Sequence, residues 1–180
     1  MRETMKLVVV LTVICAVCSA LLAAVYKTTE KPIAQSLERR TAAAAALVMP
    51  SGCGIPEKQE SAGVTFFTAK KEGKIAGVAL EGTSKNGYGG DVCLMVGLGM
   101  DGKLVSFEVV KATETPGLGS KMSSDAFRNP IKGRRIAGNW QVKKDGGEVD
   151  AITAATISSR AALECIRDAI AKFDRIKDDL

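Results

Sequence analysis

From Leu7 to Tyr26 the chain runs 20 residues without a single charge. A helix crossing the hydrocarbon core of a bilayer needs about 20 apolar residues, each rising 1.5 Å. A cleaved signal peptide would carry a shorter apolar region, about 7–15 residues, and a clear small-x-small cleavage site. Cys18-Ser19-Ala20 is a weak site, and apolar residues continue past it. The expectation is an uncleaved transmembrane helix at 7–26, behind a short polar arm at 1–6. Arg2 and Lys6 precede the run, while Lys27 and Lys31 follow it. The first pair favours a cytoplasmic N-terminus. That orientation puts the rest of the chain on the outer side of the membrane.

Residues 27–50 read as a helical connector. Thr29 is placed to cap it, Pro32 falls in its first turn, and Ala42 to Ala46 is strongly helix-forming. Pro50-Ser51-Gly52-Cys53-Gly54 ends the helix and opens a domain at 51–180. The texture then changes to strands at Val64–Lys70, Lys74–Gly82, Val92–Met100 and Leu104–Ala112. Met100-Asp101-Gly102-Lys103 joins the last two as a hairpin. A short helix is expected near Ser123–Phe127 and a strand near Trp140–Val142. The last helix begins at Thr153 or Thr156 and carries Ala162, Ile166, Ala169, Phe173 and Ile176 on one face. The fold class is therefore α+β, an antiparallel sheet packed by helices, behind one N-terminal transmembrane helix.

The chain contains no histidine. That removes a Ser-His-Asp triad, a Cys-His pair and the His-containing zinc sites. Ser84-Lys85 and Ser120-Lys121 lack the spacing of a Ser-x-x-Lys nucleophile, so an anchored hydrolase is a poor reading. The net charge is only +5, the basic residues are scattered, and aromatics make up 4% of the chain. Nucleic acid is a poor partner for such a surface. Redox chemistry remains open, because a cofactor can bring it. Among the five cysteines, Cys15 and Cys18 have CxxC spacing but lie in the apolar run, where they read as packing residues. A disulfide from Cys53 to Cys93 or to Cys165 is left open by spacing alone.

Two segments carry the chemistry. Asp150-Ala151-Ile152-Thr153-Ala154-Ala155-Thr156 leads into the last helix with small residues and hydroxyls and no Lys. A helix N-terminus offers free N–H groups and a partial positive charge, which suits a phosphate. Small residues let the phosphate approach the backbone, and Thr153 and Thr156 add hydroxyls. The competing reading is plain N-capping by Asp or Thr. The second segment, Glu114-Thr115-Pro116-Gly117-Leu118-Gly119, fits a type II turn with Pro-Gly at its centre. It presents polar groups beside Leu118, a surface on which a flat ring could lie. Phosphate at one segment and ring at the other describe a nucleotide-like or flavin-like ligand.

Asp150 followed by Thr153-Ala154-Ala155-Thr156 resembles the flavin-attachment motif of FMN-binding domains: Asp, two residues, Ser or Thr, Gly or Ala, Ala, Thr. Glu114 to Gly119 and Gly87-Tyr88-Gly89-Gly90 also fit that family. With the anchor in front, the chain resembles the family of G subunits found in Rnf ion-translocating electron transport complexes. The resemblance implies that Thr156 carries covalent FMN as a phosphoester. It implies that Thr153, Ala154 and Ala155 shape the phosphate end, and that Glu114, Thr115, Leu118 and Gly119 border the isoalloxazine ring. Asp150, with Thr153, would belong to the sequence read by a separate flavin transferase that uses FAD. The implied role is an electron-transfer subunit, with no catalysis of its own. It would sit in a complex coupling ferredoxin:NAD electron transfer to Na+ or H+ translocation, its partners being the other subunits and the membrane. Two rivals are a component like the C subunit of Na+-pumping NADH:quinone reductase and a non-redox envelope binding module. Where the family more often has Gly, this chain has Ala154. Its methyl group would crowd the loop if the backbone there needs positive φ.

Overall fold

The computed structural model describes residues 2–180. It divides into two compact units, Met1–Arg39 and Arg40–Leu180. Helix α1 (Arg2–Val48) is long and apolar enough to cross a membrane. It does not restart at Thr29. The Thr28 and Thr29 hydroxyls instead donate to the carbonyls of Ala24, Val25 and Tyr26, one turn back. Hydroxyls spent on carbonyls behind them cannot cap N–H groups ahead. Pro32 therefore lies inside one continuous helix.

In the second unit the sheet is an antiparallel meander in chain order. Its strands are β1 (Glu57–Ser61), β2 (Val64–Lys71), β3 (Lys74–Gly87), β4 (Gly90–Gly99) and β5 (Leu104–Lys111). Ala62-Gly63 and Glu72-Gly73 join the first three strands, both residues of each pair at positive φ. Such two-residue turns match the twist of the strands they connect. Strand β1, Glu-Lys-Gln-Glu-Ser, escapes pattern reading because it is polar and exposed along nearly its whole length. A charged edge of this kind resists pairing with other chains. The expected strand at Trp140–Val142 is not a strand. Val142 makes one isolated bridge, to Val149, and Trp140 is a buried loop anchor whose Nε1 donates to the Ile136 carbonyl at 2.8 Å. The short helix is split into a 3-10 turn, Gly119–Ser123, and helix α2 (Asp125–Arg128).

Strand β4 reads as an unbroken apolar run because both of its faces are covered. Val92, Leu94, Val96 and Leu98 join the core beneath helix α3 (Thr156–Ile176), with Val78, Leu80, Phe107, Ala162, Ile166 and Ala169. Cys93 and Met95 face the other way, onto Ala44, Ala45 and Val48 at the end of α1. Phe173, expected on the buried face of α3, is only partly buried. All five cysteines are free, so neither Cys53 pairing forms. Cys93 donates from Sγ to Glu81 Oε1 at 2.6 Å. Burial pushes its thiol pKa up, and does the same to Cys165, to about 12. Both are neutral thiols at pH 7.

Asp168 ties α3 to the sheet. Its Oδ2 accepts the Thr83 N–H at 2.9 Å and the Lys172 ammonium at 2.7 Å. Partial burial by itself would raise the carboxyl pKa, but Lys172 and Thr83 together hold it below the usual carboxylate value. The stabilisation is therefore complete above the unfolded value, about pH 4, and is lost as pH falls through the lower folded value. Acid titration of Asp168→Asn should show a shallower fall in unfolding free energy below about pH 4 than the parent chain shows.

Candidate functional site

The two segments singled out in the sequence meet in space. A cavity of about 500 Å³ is lined by Tyr88 from the β3–β4 turn, by Glu114, Thr115, Leu118 and Gly119 after β5, and by Ala154 to Ser158 at the start of α3. Its rim exposes three large apolar side chains: Tyr88, Leu118 and Ile157.

The start of α3 is bare. Its N-cap is Ala155, no side chain caps it, and no acid stands in its first turn. The capping alternative for Asp150 and the threonines therefore fails. What shapes this loop is Ser159, which is fully buried. Its Oγ accepts the Ile152 N–H and donates to the Ala155 carbonyl, both at 2.9 Å. Loop residues 152–155 are thus held from behind, and the helix dipole is opposed by no acid at its positive end.

Ala154 sits at φ 61. Its methyl group therefore does occupy the left-handed conformation in which glycine is the easier residue. An L-residue pays roughly 1–2 kcal/mol there, while glycine pays little in the folded state and more in the unfolded one. Ala154→Gly should raise the unfolding free energy by about 0.5–1 kcal/mol. The signature is a higher denaturant midpoint at unchanged slope.

Glu114 belongs to the cavity wall, and its hydrogen bonds go to the protein. Oε1 accepts the Tyr88 N–H at 2.9 Å, and Oε2 accepts the Ser158 hydroxyl at 2.7 Å. Tyr88 itself, 70% exposed, was not among the sequence-derived site residues. Its glycine-flanked position before a strand was the available signal. Asp150 and Thr153 do not line this cavity. They lie along a neighbouring one of about 260 Å³, with Lys121, Ser124 and Phe127. Asp150 is exposed there and accepts from Lys143 Nζ at 2.8 Å.

The lining residues begin at the β3–β4 turn and end on α3, and that stretch has relatives. Residues 87–171 match the FMN-binding domain family. The G subunit of the ion-translocating oxidoreductase complex from Photorhabdus laumondii is 39% identical over 108 residues, 57% of this chain and 52% of that protein. Its counterpart from Escherichia coli strain K12 is 37% identical over 110 residues, 57% of this chain and 53% of that protein. The chain thus spans about half the length of the curated relatives it matches. The crystal structure of the C subunit of Na(+)-translocating NADH-quinone reductase from Parabacteroides distasonis has a TM-score of 0.52 at 22% identity, covering 62% of this chain and 61% of that one. That likeness establishes a shared fold. The FMN-binding domain match takes in Tyr88, the Glu114–Gly119 loop and Thr156, so one family segment supplies the whole cavity wall.

Proposed function

We propose that this chain is a single-pass membrane subunit of an ion-translocating oxidoreductase complex that carries FMN as a phosphoester on Thr156 and relays electrons. The observation that carries the reading is the union of the uncapped α3 start with the apolar-rimmed cavity. The residues present fit the cofactor. Thr156 is half-buried at the first helical position, where backbone N–H groups and the dipole favour a phosphate. Tyr88, Leu118 and Ile157 offer apolar surface that a flat ring would shield from water. When bound, FMN supplies reversible electron uptake. The chain's own residues fix the phosphate end, support the ring and exclude water from one of its sides. No diffusible substrate is required.

Attachment links the Thr156 hydroxyl oxygen to the FMN phosphate, with FAD as donor and AMP released, on a separate flavin transferase. Asp150 and Thr153 lie on the outward side of the acceptor loop, where another protein can read them. The N-terminus is assigned to the cytoplasm, and the FMN domain to the outer side. Relatives of 37–39% identity that are G subunits of an ion-translocating oxidoreductase complex favour that type of assembly over the NADH:quinone reductase type. The coupling ion is Na+ or H+.

The test is the intact mass of the full chain made with and without a flavin transferase, followed by mapping of the modified peptide. A gain of one FMN less one water on Thr156 supports the reading. No gain, with the transferase active on a control protein, returns the cavity to a non-redox binding module.

A further inference from the structure

Among the residues that line the candidate cavity, Glu114 alone carries a charged side chain. Both of its oxygens are engaged. Oε1 accepts the N–H groups of Tyr88 at 2.9 Å and Gly89 at 3.5 Å, and Oε2 accepts the Ser158 hydroxyl at 2.7 Å. Glycines close in around the carboxylate. At Gly87 a Cβ would stand 2.8 Å from Oε1, and at Gly119 a Cβ would collide with Oε2. At Gly89 a Cβ would strike the Thr113 carbonyl. Three separate segments are therefore built around one carboxylate: the β3–β4 turn, the loop after β5 and the start of α3. It accepts three hydrogen bonds and donates none, the pattern of an ionised acid. Its two oxygens are held by partners on two other segments.

We propose that Glu114 is a positioning residue whose fixed negative charge lowers the reduction potential of the flavin, an inference that rests on the ring lying in this cavity. Were FMN bound, two electrons from a reductant such as dithionite and one proton from solvent would leave the reduced ring with one negative charge, whereas uptake of a second proton would leave it neutral. A fixed negative charge in the wall disfavours the charged form and leaves the neutral oxidised ring nearly unaffected. No cationic side chain in the lining offsets it. The positive end of the α3 dipole, with no side-chain cap, would be taken up by the phosphate. The same residue thus orders the site and sets its electron affinity.

The experiment uses the full chain, loaded by a flavin transferase and held in detergent. Intact mass first establishes flavin on Thr156. Dithionite titration against a reference dye then reads the potential. Glu114→Gln keeps the shape and the acceptor for the two N–H groups but removes the charge. Its equilibrium with the dye should shift toward reduced flavin by about tenfold, ~30 mV for a two-electron couple. Glu114→Asp keeps the charge and should stay within about twofold of the parent. Ser158→Ala removes one donor to the carboxylate and should shift the equilibrium the opposite way by about twofold. A loaded Gln variant with the parent's potential overturns the proposal and leaves the tethered-flavin reading standing. Gln and Asp variants shifting together also overturn it, because packing would then be the cause. If the Gln variant does not fold or load, an unchanged potential in Ser158→Ala overturns it instead. A parent chain that takes no flavin on Thr156 sinks both the function reading and this inference.

Discussion

Thr156→Ala should give a folded domain with no covalent flavin. The loss should be complete, because no other side-chain oxygen occupies the first position of α3. The loop is held by the buried Ser159 and by the Ser158–Glu114 bond, not by Thr156. Thr156 itself is only half-buried, so its truncation should cost no more than about 1 kcal/mol of stability. The measurement is flavin fluorescence of the denatured protein band, run beside a thermal melt of the native protein. A folded variant that keeps denaturation-resistant flavin would sink the assignment of Thr156. Loss of flavin together with loss of the fold would show only that the residue is structural.

A large stability loss is expected at Gly82, on the seam between β3 and α3. A Cβ there would collide with the Cys165 carbonyl, which is backbone and cannot rotate away, and would press on Ala169. The whole helix would have to lift. Cys165, Ile166 and Ala169, all fully buried, would lose contact with the sheet. Overpacking against backbone of this kind costs about 3 kcal/mol, which should lower Tm by roughly 10 °C for a domain of this size. Gly63→Ala is the control. It carries the left-handed penalty at φ 71, but nothing stands within 4 Å of the added atom. A Gly82→Ala chain as stable as that control would mean that α3 is not seated on β3 in this way. Because Thr156 opens the same helix, Gly82→Ala should also weaken flavin loading, while Gly63→Ala should not.

Several elements are legible in the residues themselves. The hairpin at Met100 to Lys103 is readable from Asp-Gly between two apolar runs, and α3 from the 3.6-residue spacing of Ala162, Ile166 and Ala169. The long apolar helix at the N-terminal end is readable from length and lack of charge. Strand β1 is not legible, because an exposed polar edge has no alternation to read. The continuity of α1 through Pro32 is hidden for a different reason. Thr28 and Thr29 are good caps by type, and only their hydrogen bonds to the carbonyls behind show that they do not cap. Trp140–Val142 has strand-like residues but finds no partner strand, and pairing is a property of the fold, not of the segment.

By itself the sequence determined the class of chain: an apolar span, a helix with a bare and hydroxyl-rich start, and a Pro-Gly loop, with no histidine to support other chemistry. These are local matters of composition, spacing and period. Only the tertiary structure decided that the two segments share one cavity, that Asp150 stands outside it, and that Glu114 spends its oxygens on Tyr88, Gly89 and Ser158. Those outcomes depend on the absence of a Cβ at Gly82, where the Cys165 backbone meets β3, and at Gly87 and Gly119, where the Glu114 carboxylate comes close. Local sequence states which residues are available for a site. The long-range packing of α3 on β3 and β4 sets which of them face each other.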